Sequence, residues 1–94
     1  MTEEQKSQWR KILQDRNVSE EVIRVLIGKM ERGCEKYGSW SPSDDQRDFM
    51  YESRSEVYDA INYQIMRYIR DNDPHAISTL NKLVWLLSEL RRIA

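Results

Sequence analysis

The chain is expected to be all-α: an antiparallel helical bundle, four helices per chain, its four-helix core completed by dimerisation. Three observations predict the all-α class, and a third helix apolar on nearly every side, more than one small chain can cover, predicts the dimer. Three glycines and two prolines in 94 residues leave little material for the tight turns of a sandwich or barrel. Apolar residues recur at helical spacing in four separate stretches. Each stretch also follows a residue able to cap a helix: Thr2, Ser19, the Ser41-Pro42 pair and Asp73.

Thr2 followed three residues later by Gln5 is a capping-box pattern, and Trp9, Ile12 and Leu13 continue it, predicting a first helix over about residues 3 to 15. Ser19 opens a second helix with Glu20 and Glu21 at the positive end of its dipole. Val22, Ile23, Leu26, Met30 and Cys34 carry its apolar stripe to about residue 36. "KYGSWSPSDD" is the one clear loop, with Gly38 as a helix stop. Pro42 in a first turn predicts a third helix over about residues 43 to 71. Asp73 and Pro74 repeat the device and open a fourth, about residues 74 to 92, with Ile77, Leu80, Leu83, Val84, Leu87 and Leu90 on one face. No repeat or linker intervenes, so residues 1 to 94 read as one domain.

Fifteen basic and 16 acidic residues, mixed along the chain, give a net charge of −1 and no steady attraction for phosphate backbones or anionic lipid. Nucleic acid and membrane are therefore not expected partners. No run approaches the ~18 apolar residues of a membrane span, and the N-terminal stretch has no apolar signal core, so a cytoplasmic location is expected. Cys34 is the only cysteine; it falls on the apolar stripe of the second helix and reads as a structural thiol. His75 has no second histidine and reads as a surface residue, and the chain has no glycine-rich phosphate loop.

The third helix poses the chemical question. At about 100° per residue, Glu56 lies ~40° and Asp59 ~−20° from Glu52, so three carboxylates share an arc of ~60°. Phe49 and Ala60 border the arc on one side and Met66 on the other. Like charges four apart cost an exposed helix about 0.2–0.5 kcal/mol per pair, and more beside apolar surface. Arg54 lies across the helix and cannot serve these acids locally. Three resolutions are open: protonation, lysines or arginines from other helices, or a hard cation that takes carboxylate oxygens and leaves positions for phosphates and water.

"SEVYDAINY", residues 55 to 63, resembles the second motif of the all-α nucleoside triphosphate pyrophosphohydrolases, the MazG-like superfamily, whose pattern is Glu-x-x-Asp on a helix. Glu56 and Asp59 fit it, and Glu52 sits one turn earlier, where many relatives carry another acid. "ERGCEKYGSW", residues 31 to 40, is similar to the "KYG" segment that precedes the motif in small MazG-like proteins. The resemblance covers roughly residues 20 to 70. The family sets an upstream Glu-x-x-Glu against this motif. Here the nearest upstream acids, Glu31 and Glu35, are four apart rather than three, which still leaves them on one helix face.

The resemblance implies hydrolysis of a nucleoside triphosphate to monophosphate and pyrophosphate as nucleotide housekeeping, with Mg2+ (or Mn2+) as cofactor and a homodimer or dimer of dimers as the assembly. It implies Glu56, Asp59, Glu52, Glu31 and Glu35 as metal ligands, with Glu35 or Glu52 free to orient or deprotonate the attacking water. Lys36, with Lys29 and Arg32, is a candidate for the phosphates, and Tyr37, Trp40 and Tyr63 are candidates for stacking on the base; solvation and core packing are the plainer readings of these residue types. The alternative is a helical interaction or scaffold protein that keeps the bundle without the reaction, its acids paired to arginines. A helical DNA-associated module is opposed by the absence of a basic recognition helix.

Overall fold

The computed structural model describes residues 1 to 93, and every regular element among them is an α-helix: α1 (Glu3–Gln14), α2 (Glu20–Tyr37), α3 (Phe49–Asp71) and α4 (Pro74–Ile93). They belong to two compact units, Met1–Asp45 and Gln46–Ala94.

In the first unit, α1 packs on α2. The capping box is formed in full: the Thr2 hydroxyl accepts from the Gln5 backbone N–H at 3.0 Å and the Gln5 side chain accepts from the Thr2 N–H at 3.0 Å. Asn17, at a positive φ of 60°, turns the chain after α1, and the Ser19 hydroxyl accepts from the Val22 N–H to start α2. Ile23 and Ile27, four apart on α2, are the buried residues of this unit. Gly38 ends α2 with φ 92°, a conformation that L side chains rarely adopt, while its N–H still reaches the Cys34 carbonyl.

The loop that follows is tied back to α1. The Trp40 ring meets Trp9 edge to face, centroids 5.6 Å apart and planes at 79°. Its indole N–H donates to Asp45 at 2.9 Å and its carbonyl accepts from Gln5 Nε2 at 3.1 Å. An edge-on ring pair whose Trp40 indole N–H and carbonyl are both hydrogen-bonded is a packed anchor.

α3 corrects the sequence expectation. It begins at Phe49, six residues later than the Ser41-Pro42 signal implied. Ser41 and Pro42 instead open a turn, whose Asp44 and Asp45 N–H groups both reach the Ser41 carbonyl. Proline suits the second position of such a turn as well as it suits a first helical turn. The true cap is Asp48, whose carboxylate accepts from the Met50 and Tyr51 N–H groups at 3.0 and 3.1 Å.

α3 ends on Asn72 in the left-handed region, φ 50°, and Asp73 starts α4 by accepting from the His75 N–H at 2.9 Å. Two residues separate these long helices, which pack along one another, so α4 returns along α3 as a hairpin. Arg67 reinforces the corner, donating from Nη2 to Asp73 at 2.6 Å and from Nη1 to Gln64 at 3.0 Å. Val57 and Ala76 are the buried residues described in this hairpin. No helix among the described residues is long and apolar enough to cross a membrane.

Candidate functional site

The three α3 acids occupy one face because their spacing of three and four residues returns the helix to the same side. Glu52, Glu56 and Asp59 are all exposed, and Tyr63 joins them at about 20° on the same wheel. Among the described residues, no ion pair or side-chain hydrogen bond engages any of the three carboxylates. Local cations are committed elsewhere. Arg67 serves Asp73 and Gln64, and Arg70 grips Asp71 at 2.7 and 2.9 Å, holding the Asp71 carboxyl below its ordinary range. Arg54 makes no ion pair with these acids, and its buried Nη1 has no hydrogen-bond partner among the described residues.

The upstream acids behave differently. Glu31 is held by Lys6 at 2.7 Å, and Lys6 also meets Glu3 at 3.2 Å. The hydrogen bond from Lys6 lowers the Glu31 carboxyl below its ordinary value, and the bonds to Glu31 and then Glu3 raise the Lys6 ammonium. Met1, Lys6, Glu31, Cys34 and Glu35 line an open cleft of about 240 Å³, in which Glu35 forms no ion pair. Lys36 lies over the ring of Tyr37, 5.1 Å from its centroid, and Tyr37 is 81 % exposed. Lys29 and Arg32 are exposed on the same helix. Trp40 is half-buried and held by Trp9, Asp45 and Gln5 as described above.

The sequence pattern brings Glu52, Glu56, Asp59 and Tyr63 together on α3, and Glu31, Glu35, Lys36, Tyr37 and Trp40 within the first unit. Lys6 is the residue that sequence reading missed. It sits far from Glu31 along the chain, and nothing in the periodicity of α1 marks it as that acid's partner.

No three of the His, Cys, Asp and Glu side chains among the described residues converge on a point where they could jointly hold a metal ion. The donor set nevertheless fits a hard cation. Mg2+ is commonly bound through one or two carboxylates, with water and substrate phosphate oxygens filling its octahedron. Two exposed, unpaired carboxylates one turn apart, Glu56 and Asp59, supply that much.

Comparison with protein-family models, curated proteins and solved structures finds no match to this chain. The MazG-like resemblance rests on the residues quoted above.

Proposed function

We propose that the protein is a Mg2+-dependent nucleoside triphosphate pyrophosphohydrolase of the MazG-like kind, converting a triphosphate to monophosphate and pyrophosphate. One observation supports this above the others: Glu52, Glu56 and Asp59 share a face of α3 and none is paired to a lysine or arginine of the described chain. The scaffold reading needs those pairs. In this proposal Glu56 and Asp59 hold the cation, which would neutralise phosphate oxygens. Glu52, one turn earlier, orients or deprotonates the attacking water. Tyr63, exposed on the same face, contacts the base or sugar. The assembly proposed with it is a four-helix core completed by a second copy.

One observation favours the second reading, a MazG-like bundle without the reaction. Glu31, the leading upstream acid, is already neutralised by Lys6. A carboxylate held by an ammonium at 2.7 Å must break that bond before it can serve a metal.

The test is pyrophosphate release from a broad nucleotide panel with Mg2+ and the purified chain. The expected result is turnover that falls at least ~100-fold in Glu56→Gln and in Asp59→Asn, with helicity unchanged. Lys6→Ala is expected to preserve or raise the rate if Glu31 serves the metal. Silence across the whole panel sinks the enzymatic reading and leaves the interaction module.

A further inference from the structure

α2 carries three unlike strips. With Glu20 at zero and ~100° per residue, its buried and half-buried apolar residues Ile23, Ile27, Met30 and Cys34 lie between about 280° and 340°. The four acids of the helix, Glu20, Glu21, Glu31 and Glu35, lie between 0° and about 100°. Two of them are taken, Glu20 by Arg10 and Arg24, and Glu31 by Lys6. From about 120° to 260° no acid occurs. Val22, Leu26, Lys29, Gly33 and Lys36 run down the middle of this third strip, all exposed except the half-buried Gly33. Lys29 and Lys36 stand ~160° and ~140° round the helix from Glu31, facing away from the upstream acid rather than toward a phosphate beside it.

The third strip has the pattern of a packing seam. Its positions, 22, 26, 29, 33 and 36, alternate steps of four and three, the rhythm with which one helix lies along another. The first half is aliphatic, with exposed Val25 beside it, and the second half is basic, with exposed Arg32 beside it. Lys29, Arg32 and Lys36 form no ion pair among the described residues. Gly33 is a second, independent observation. Glycine inside a helix is less stable than alanine. A Cβ at Gly33 would meet nothing within 4 Å, so the packing of this chain does not require the glycine. On a seam, a missing Cβ lets a second backbone approach closely.

We infer that this strip of α2 binds a helix of another protein, antiparallel to α2, that carries aspartates or glutamates in its first two turns and leucine-like residues in the next two. Charge complementarity selects the acids, because three cations with no carboxylate among them need an anionic partner. The helix dipole selects the direction. Carboxylates are favoured near a helix N-terminus, and an antiparallel partner lays that end on Lys29, Arg32 and Lys36 while its aliphatic turns meet Val22, Val25 and Leu26. Val22 to Lys36 spans ~21 Å, which about four turns of partner helix cover. An anionic membrane fits less well. A helix lying on lipid keeps its cations on the face opposite its apolar residues, whereas here both share one line. Nucleic acid would leave the aliphatic half without a contact, and three cations neutralise few phosphates. The inference stands whether or not Glu56 and Asp59 hold a metal.

A synthetic peptide of about four turns tests it, cross-linked on its outer face because so short a helix is marginal in water. One face carries glutamates in the first two turns and leucines in the last two; a counterpart has lysine in place of each glutamate. Titrated into the isotope-labelled full chain, the acidic peptide is expected to bind at least ~10-fold more tightly than its counterpart and to shift the Val22, Leu26, Lys29, Gly33 and Lys36 amides. Lys29→Glu combined with Lys36→Glu, at exposed positions, should reverse the preference. Should that chain lose helicity, Lys29→Gln combined with Lys36→Gln must abolish the preference instead. Gly33→Ala should raise the melting midpoint yet weaken the acidic peptide at least ~5-fold, opposite signs that a purely structural glycine would not give. Equal binding of the two peptides overturns the inference, as does a charge-reversed chain that still prefers glutamate, a Gly33→Ala chain that binds like wild type, or shifts confined to other helices. Vesicles of anionic phospholipid or a single-stranded oligonucleotide binding more tightly than the acidic peptide at the same ionic strength also overturns it.

Discussion

Asp73 does two jobs with one carboxylate. Oδ1 accepts from the His75 N–H and caps α4, while Oδ2 accepts from Arg67 Nη2 and Nε at 2.6 and 3.2 Å and fastens the end of α3 to the same corner. The Arg67 hydrogen bonds, and after them the His75 N–H, hold this carboxyl below its ordinary value of 3.8. A carboxyl lowered in the folded state binds its proton more readily in the unfolded chain. Its contribution is therefore complete above the ordinary value and is lost as pH falls through the lower folded value. Thermal melts followed by circular dichroism from about pH 5 to pH 2 should show the wild-type midpoint falling more steeply than that of Asp73→Asn, which can still cap but cannot titrate. Identical slopes would mean that the Asp73 link is silent. Lys6–Glu31 obeys the same sign on its acid side, but both side chains are over a third or nearly a third exposed, so added salt should mute it first.

At the scale of elements, the start of α3 depends on one cap. Asp48→Ala removes the acceptor for two N–H groups and is expected to cost about 1 kcal/mol in denaturant unfolding. Pro42→Ala, which the sequence pattern alone would make the critical change, should leave the helix start where it is and alter stability much less, because Pro42 sits in a turn outside α3. The contrast shows which parts of the fold were legible. α1, α2 and α4 begin where expected because Thr2, Ser19 and Asp73 stand directly before their periodic apolar runs. Residues 43 to 48 contain no apolar side chain to reveal a period, so nothing in the pattern corrected the start that Ser41-Pro42 implied. The acidic strip was legible because spacing of three and four is a property of a single helix. Lys6 beside Glu31 and Trp9 beside Trp40 were not, since each pair is made by folding segments far apart in the chain.

At the scale of the molecule, the decisive quantity is how little the chain hides. Ile23, Ile27, Val57 and Ala76 are the buried apolar residues among those described, while Tyr51, Ile69 and Trp85 stand at 60, 75 and 65 % exposure. Helices in water draw most of their stability from packed apolar faces, and few side chains of those faces are fully buried among the described residues. Stability drawn from a second copy has a signature that no monomer shares. When unfolding separates two chains, the folded side is favoured by mass action, and the melting midpoint rises with protein concentration. For a helical dimer of this size the rise should be about 4 °C for each tenfold increase in concentration. A wild-type midpoint flat across two decades of concentration would sink the proposed assembly.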